Sequence, residues 1–417
     1  MLPKLVNLFF IFVLMPFVSP YPIGSDVQPI VGIMAFIIII YLFFKDKLKF
    51  NTIDSIFICT SILSLVYFSF FLEGDWDFRK RIGLLFAFII FYVVKKMHLV
   101  FDFKVFYTVV LIYFFGSVLH LLFPEQFAQY AGYFVRVIKQ SDAANLGYRG
   151  ISSFAPEPNF LGALSVFFLL VLHYFNQREF VNRFYNWSTV ALCIFMIVNT
   201  KSGTGYVYLA LFVIFWLYNE IVIKHNFIYL IGSLFLLSFN AYTVVTSNLK
   251  GRGISVFNEL LSNPIEAIGD DSIAHRVSNI YTAIYSLNAY PLGTGVGTFS
   301  YTAQEMYYKH KLYGQFLDIQ DYIGGAVSAF AQYSVEMGII FIIFIIIILS
   351  NTYICQTSLM FRAFAIIFVV FSFSITFPPT WFLLATTSRM YFNKVVCFGS
   401  PLLDNNMASH KKSMQIL

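Results

Sequence analysis

Residues 247–325 read SNLKGRGISVFNELLSNPIEAIGDDSIAHRVSNIYTAIYSLNAYPLGTGVGTFSYTAQEMYYKHKLYGQFLDIQDYIGG. This stretch holds no apolar run of the about 20 residues that a membrane-spanning helix needs. Around it, nearly every segment is a long apolar run or a short connector. A second non-spanning piece, residues 124–159, has comparable polar content. The chain therefore divides into apolar spans and two polar segments, and any chemistry falls to those segments.

Composition sets the class. Hydrophobic residues make up 59% of the chain and charged residues 12%, with 52 phenylalanines, and the mean hydropathy is +0.75. An ordinary soluble domain is about half apolar and a quarter charged, so it could not hide this much apolar surface. The expected fold is an all-α polytopic membrane protein, with residues 1–417 forming a single transmembrane domain. A net charge of +6 follows from basic connectors that set topology and does not point to nucleic acid. Cys59, Cys193, Cys355 and Cys397 are scattered singly, which suggests neither a disulfide framework nor a metal site.

Eleven apolar runs lie at 5–18, 29–44, 53–72, 82–94, 103–123, 160–175, 187–200, 206–223, 227–245, 327–349 and 363–377. A weaker segment from Trp381, after the Pro378-Pro379 break, would be a twelfth, so 11–12 transmembrane helices are expected. Lys4 precedes the first run, but no small-residue cleavage site follows it, so this run reads as a retained span. Lys45, Lys47, Lys49, Lys95, Lys96, Lys104, Arg178, Arg183 and Lys224 fall in alternate short gaps. Such basic gaps are cytoplasmic. The two polar segments then share the opposite face, as a smaller outer loop over residues 124–159 and a large one over 247–326. Arg389, Lys394, Lys411 and Lys412 fit an inner C-terminus and hence twelve spans.

The smaller loop carries Arg136, Lys139, Asp142 and Arg149, then Pro156-Glu157-Pro158-Asn159. Prolines on both sides of Glu157 hold the backbone extended and fix its direction, and Asn159 can cap the helix that follows. Pro-Glu-Pro serves equally as a well-made helix start, with Glu157 favoured by the positive end of the helix dipole.

In the large loop, Arg252 lies in a basic Gly-Arg-Gly turn, and Asn263-Pro264 ends a short apolar piece. After Asp270-Asp271-Ser272, a natural helix start, Val277, Ile280, Tyr281, Ile284 and Leu287 recur at helical spacing. His275, Ser278, Asn279, Thr282 and Ser286 line the other side, which predicts an amphipathic helix on the bundle or in the membrane interface, with Arg276 in its first turns. Gly293, Gly295 and Gly297, at every second position, let the backbone pass close to something. The lysine and serine or threonine of a P-loop are missing. Tyr307, Tyr308, Lys309, His310, Lys311, Tyr313 and Tyr322 form an aromatic, mildly basic tail, suited either to sugar stacking or to the lipid interface.

Guanidinium groups bind diphosphates bidentately, and a nearby carboxylate or imidazole can take a proton from an attacking hydroxyl. Arg136, Arg149, Arg252 and Arg276 supply the first kind of group, and Glu157, Glu259, Glu266, His275 and His310 the second. No metal-ligand spacing, nucleophile elbow or nucleotide fingerprint is present. Glu336 and Lys201 stand at span ends, where a charged side chain is either functional or a cheaply solvated helix end.

One ordered set of motifs resembles a known family. Arg149-Gly-Ile-Ser-Ser-Phe-Ala-Pro-Glu157-Pro, Thr200-Lys-Ser202-Gly-Thr-Gly, Arg276 before Pro291-Leu-Gly-Thr-Gly-Val-Gly297, and Glu336-Met-Gly338 are similar, in order and in topology, to the O-antigen polymerase (Wzy) family and its relatives in the O-antigen ligase superfamily. The resemblance runs from about residue 124 to 377. It implies a multi-pass protein of the bacterial inner membrane that polymerises lipid-linked oligosaccharide repeat units at the periplasmic face. A growing chain on undecaprenyl diphosphate would pass to the next lipid-linked unit, without metal, nucleotide sugar or other cofactor. Arg149 and Arg276 match the outer-loop arginines that engage the anionic donor. Glu157 is the first choice for base or acceptor positioner and His275 the second, with Arg252, Arg136, Lys201, His310 and Tyr308 as substrate contacts. The expected partners are the lipid-linked oligosaccharide, membrane lipid and a chain-length regulator. Ligases carry a histidine-asparagine pair late in the large loop, where this chain has Tyr308-Lys-His310-Lys. A ligase-type transferase and a lipid-linked oligosaccharide flippase or transporter are the alternatives. A flippase would place charge within the spans, and here the polar content sits in the loops.

Overall fold

The computed structural model describes residues 2–20, 27–45, 47–50, 54–55, 58–59, 61–62, 78–135, 150–178, 181–223, 271–310, 328–350, 356–371 and 375–387. Among them every regular element is helical. In chain order these are α1 (Leu2–Leu14), α2 (Ile30–Phe44), α3 (Phe78–Met97), α4 (Phe103–Leu122), α5 (Pro124–Ala131), α6 (Pro158–Arg178), α7 (Arg183–Thr200) and α8 (Gly203–Tyr218). After them come α9 (Asp271–Ala289), α10 (Phe299–His310), α11 (Ala329–Met337), α12 (Ile339–Ser350), α13 (Gln356–Phe371) and α14 (Pro378–Thr386). Most of the apolar runs return as helices. The run at 227–245 and most of the run at 53–72 lie outside the described residues, as do Lys224 and the basic C-terminal tail.

Among the described residues, four stretches are long and apolar enough to cross a membrane: Gly83–Val100, Phe103–Leu122, Pro158–Arg178 and Gly203–Ile221. Burial separates centre from rim. The first and third are 72% and 78% buried, the second and fourth 39% and 22%, so α3 and α6 are central and α4 and α8 peripheral. The rim is apolar, with Phe36 on α2, Phe115 on α4, Ile214 on α8 and Ile346 on α12 all exposed.

The innermost helix is the one whose sequence signal is weakest. Every residue of α14, from Pro378 to Thr386, is buried. The helix starts at Pro378 rather than Trp381, since proline lacks only an N–H that a first turn leaves unused. Trp381 donates its indole N–H to the Ile375 carbonyl. Phe382 stands edge-on to Phe10, Phe101, Phe167 and Tyr174, and such aromatic pairs add about 0.5–1.5 kcal/mol each beyond burial.

The two ends of the bundle differ. At one end, Arg178 closes α6 by donating to the His98 carbonyl at 3.0 Å and the Phe101 carbonyl at 2.7 Å, with its guanidinium 4.7 Å from the Phe175 ring centre. The same end carries Lys95 and Lys96 in the last turn of α3. Lys95 is buried and paired with buried Asp54 at 2.7 Å. At the other end lie the starts of α3 and α6. Phe17 sits there between Phe160, at 5.3 Å, and Phe377, at 6.0 Å, and Gly83 lies against Tyr333, Thr376 and Ile375. Phe160 is two residues into α6 and Tyr333 is on α11, so α6 and α11 reach the same end of the bundle.

Within the run at 327–349 the chain does not form one helix. It breaks at Gly338, whose φ of +61° favours glycine, and leaves α11 and α12 as separate pieces. What holds that break open belongs to the candidate site.

Candidate functional site at two glycine turns

The first turn, residues 150–157, leads into α6 and is docked on two helices. Gly150 has φ +79°, and a Cβ there would overlap the Thr200 carbonyl. Ile151 donates its N–H to the Asn199 carbonyl at 3.0 Å, so the turn covers the last carbonyls of α7. On its other side it lies along the Tyr113, Gly116 and His120 face of α4. The Ser152 N–H donates to His120 Nδ1 at 3.4 Å, and the Ser153 hydroxyl to the Tyr113 carbonyl at 2.9 Å. Ser153 takes φ +49° to do so, a conformation that costs a non-glycine residue about 1–2 kcal/mol. Gly116 leaves the space that the Phe154 ring fills, and the His120 ring stacks on Phe127 at 4.9 Å.

Glu157 emerges from this turn exposed to solvent, as the residue before helical Pro158. Its carbonyl accepts from the Phe160 N–H at 3.2 Å and the Leu161 N–H at 3.3 Å, so Glu157 holds the capping position that Asn159 was expected to hold. Pro158 pre-sets the helical φ and moves the start one residue earlier. Asn159 Oδ1 instead accepts from its neighbour, the Phe160 N–H, at 2.7 Å.

The Thr200-Lys-Ser202-Gly-Thr-Gly motif is part of the same construction. Lys201 is the left-handed residue that ends α7, at φ +49°, and is half-buried. Ser202 caps α8, its hydroxyl accepting from the Gly205 N–H at 3.5 Å. Gly205 then meets Gly162 of α6, where a Cβ on Gly162 would come 2.8 Å from the Gly205 Cα. Small residues permit such close helix approach, and in a membrane this replaces the missing hydrophobic drive between helices.

The second turn, residues 290–297, answers what the alternate glycines pass close to. The Thr294 and Gly295 N–H groups donate to the Val335 and Glu336 carbonyls, each at 3.0 Å, and the Ile339 N–H donates to the Pro291 carbonyl at 2.8 Å. Gly293, at φ +85°, lies where a Cβ would overlap the Glu336 carbonyl. The turn thus supplies partners to both ends of the broken helix. A hydroxyl chain stiffens it: Thr302 Oγ1 donates to Thr294 Oγ1 at 3.0 Å, Thr294 and Thr298 share a hydrogen bond of 2.6 Å, and Thr298 donates to the Gly295 carbonyl at 2.6 Å. Glu336 is fully buried, and Gln332 Nε2 donates to its Oε1 at 3.3 Å. Tyr290 donates its phenol to Glu305 at 2.8 Å. That bond, ahead of burial, raises the phenol pKa.

α9 forms where periodicity predicts it, with Ser272 inside the helix rather than at its cap. Its faces are reversed from the usual amphipathic order. Ser278, Asn279, Thr282 and Ser286 are buried, and Tyr281 and Ile284 are 40% and 53% exposed. The buried side packs with α10 and α11, where Ala283 meets Phe299, Ala303, Tyr307, Ala331 and Val335.

Of the residues singled out by sequence, His275 and Arg276 stand in the second turn of α9. Tyr308 is exposed and His310, at the end of α10, stacks on Tyr285 with ring centres 4.0 Å apart. Arg136, Arg149 and Arg252 lie outside the described residues, as do Glu259, Glu266, Lys311, Tyr313 and Tyr322. Sequence reading passed over His120, Ser152 and Ser153. The available signal was a lone histidine in the last turn of an apolar run, just before a polar segment.

No protein-family model matches the chain, and no curated protein matches it.

Proposed function

We propose that the protein is a multi-pass membrane glycosyltransferase that polymerises undecaprenyl-diphosphate-linked oligosaccharide repeat units at the outer face of the bacterial inner membrane. The observation that carries this reading is the arrangement of its motifs. The turn at 150–157 and the turn at 290–297 are each fixed on a helix C-terminus, and α6 and α11 bring them to the same end of the bundle, opposite Lys95, Lys96 and Arg178. The apolar rim and the four long apolar helices support a lipid surrounding, and the basic opposite end supports the assignment of that end to the cytoplasm. On this reading 11–12 spans carry the two loops, 124–159 and 247–326, on the outer face.

In the reaction, a hydroxyl oxygen of the acceptor unit forms a bond to the anomeric carbon of the donor chain. The bond from that carbon to the diphosphate breaks, and undecaprenyl diphosphate leaves with the electron pair. Arg149 and Arg276, with Arg252, neutralise the charge that develops on the diphosphate. Glu157, exposed at the lip of the first turn, takes the hydroxyl proton, with His275 the second choice. Arg136, Lys201, Tyr308 and His310 contact the oligosaccharide. A chain-length regulator is the expected protein partner.

The test uses purified protein and lipid-linked repeat units in detergent, with no sealed membrane. A ladder of longer products, lost in Arg276→Ala and Arg149→Ala, is the expected result. Unchanged single units with folded protein would overturn the polymerase. A vectorial requirement for sealed vesicles would point to a flippase.

A further inference from the structure

The reversed helix α9 leaves polar atoms in an unusual state. Ser278, Thr282 and Ser286, and Ser334 on α11, are fully buried, and none of their hydroxyl oxygens has a hydrogen-bond partner. Six other buried hydroxyls among the described residues behave differently. Ser117, Ser165, Thr189, Thr200, Thr386 and Thr387 all close onto a carbonyl three or four residues back. The α9 hydroxyls do not, and so they remain available to something in the junction of α9, α10 and α11. Buried polar groups without partners are rare in native proteins and call for an internal water or a ligand.

Spacing indicates which. Positions 278, 282 and 286 lie on one face of α9 in steps of four residues, about 6 Å at the helical rise. Two O–H···O bonds of about 2.8 Å end to end cover nearly that distance, so a single water matches the gap between each pair of hydroxyls once the helices part. One cation could not be reached by all three. The file also has a destination. The turn after α9 bonds to Val335 and Glu336, so α9 and α11 have their C-termini at one end, and Ser334 and the buried Glu336 carboxyl lie there.

We propose that the α9–α10–α11 junction takes up a file of ordered waters, alternating with the hydroxyls of Ser278, Thr282 and Ser286 and joined by Ser334, that exchanges protons with the Glu336 carboxyl. Each oxygen accepts one proton and passes on another, so no co-reactant is consumed. The helices are closed on these hydroxyls in the structure, and uptake parts α9 from α11 by about one water diameter, ~2.8 Å. This inference does not rest on the polymerase reading.

Silver ion, which travels where water does and binds thiols, is the probe. In the full chain with Cys59, Cys193, Cys355 and Cys397 replaced, single variants Ser278→Cys, Thr282→Cys, Ser286→Cys and Ser334→Cys are exposed to silver ion, unfolded and labelled with maleimide. Tyr301→Cys, at a position 77% exposed, is the wet control and Ile284→Cys the rim control. The expected result is at least a tenfold loss of labelling at the four junction positions and at Tyr301→Cys. Full labelling at all four, with Tyr301→Cys protected, overturns the proposal. Adding Thr282→Val, which keeps the shape and removes the hydroxyl, should restore labelling at Ser278→Cys or Ser286→Cys. Protection unchanged at both means the waters form no file.

Discussion

Gly293 and Glu336 meet main chain to main chain, so closely that any side chain on Gly293 would overlap the Glu336 carbonyl. The contact explains why one apolar run becomes two helices. A break inside a helix strands carbonyls on one side and N–H groups on the other, and these are costly to bury. The turn at 290–297 satisfies them from outside, through Thr294, Gly295 and Pro291. Gly297 shares the positive φ, at +95°, but has open space around it. Gly293→Ala should therefore cost about 3 kcal/mol or more, from strain and overlap together, and Gly297→Ala only about 1–2 kcal/mol, from conformation alone. Thermal unfolding of the two variants in detergent measures the difference, and equal losses would show that the docking is not what matters.

Gly150 makes the matching contact with the Thr200 carbonyl, next to Arg149. On the proposed polymerase reading, Gly150→Ala should displace the turn that carries Glu157 and lower the yield of polymer at least tenfold. The same strain and overlap should lower the unfolding temperature as in Gly293→Ala, so activity is compared at a temperature where the variant stays folded. Polymer formed at the wild-type rate would mean that the turn does not position the reacting groups.

The His120 contact separates packing from hydrogen bonding. His120→Phe keeps the stack on Phe127 and loses the acceptor for the Ser152 N–H, leaving a buried donor unpaired at a cost of about 1–3 kcal/mol. His120→Asn should recover part of that loss. A fully stable Phe variant would assign His120 to packing alone.

The helices were legible in the sequence because their apolar runs are long, and the alternate glycines announced a close backbone approach before its partner was known. Three features were not legible. The break at Gly338 falls inside the run read as one span, 327–349, and is sustained by residues more than forty positions earlier. α14 is short and carries threonines, so it reads as the weakest span, yet every residue of it is buried, with the Thr386 hydroxyl turned back on the Phe382 carbonyl. α9 reads as a surface helix because a polar face ordinarily points to water. Here the small polar side chains pack inward against α10 and α11 and leave Tyr281 and Ile284 outside. Periodicity locates a face without saying which solvent it meets.

The ion pair at the opposite end offers a last test, of what a buried charge contributes there. Lys95 and Asp54 are 2% and 1% exposed and 2.7 Å apart. Removing one partner strands the other without water, which costs about 3–5 kcal/mol. Replacing both by apolar residues of similar volume removes the desolvation cost along with the attraction and is often close to neutral. Lys95→Met and Asp54→Leu should each lower the unfolding temperature in detergent, and the two together should recover most of the loss. If the double variant falls by the sum of the singles, the two charges act independently, and the pair does not hold Asp54 against α3.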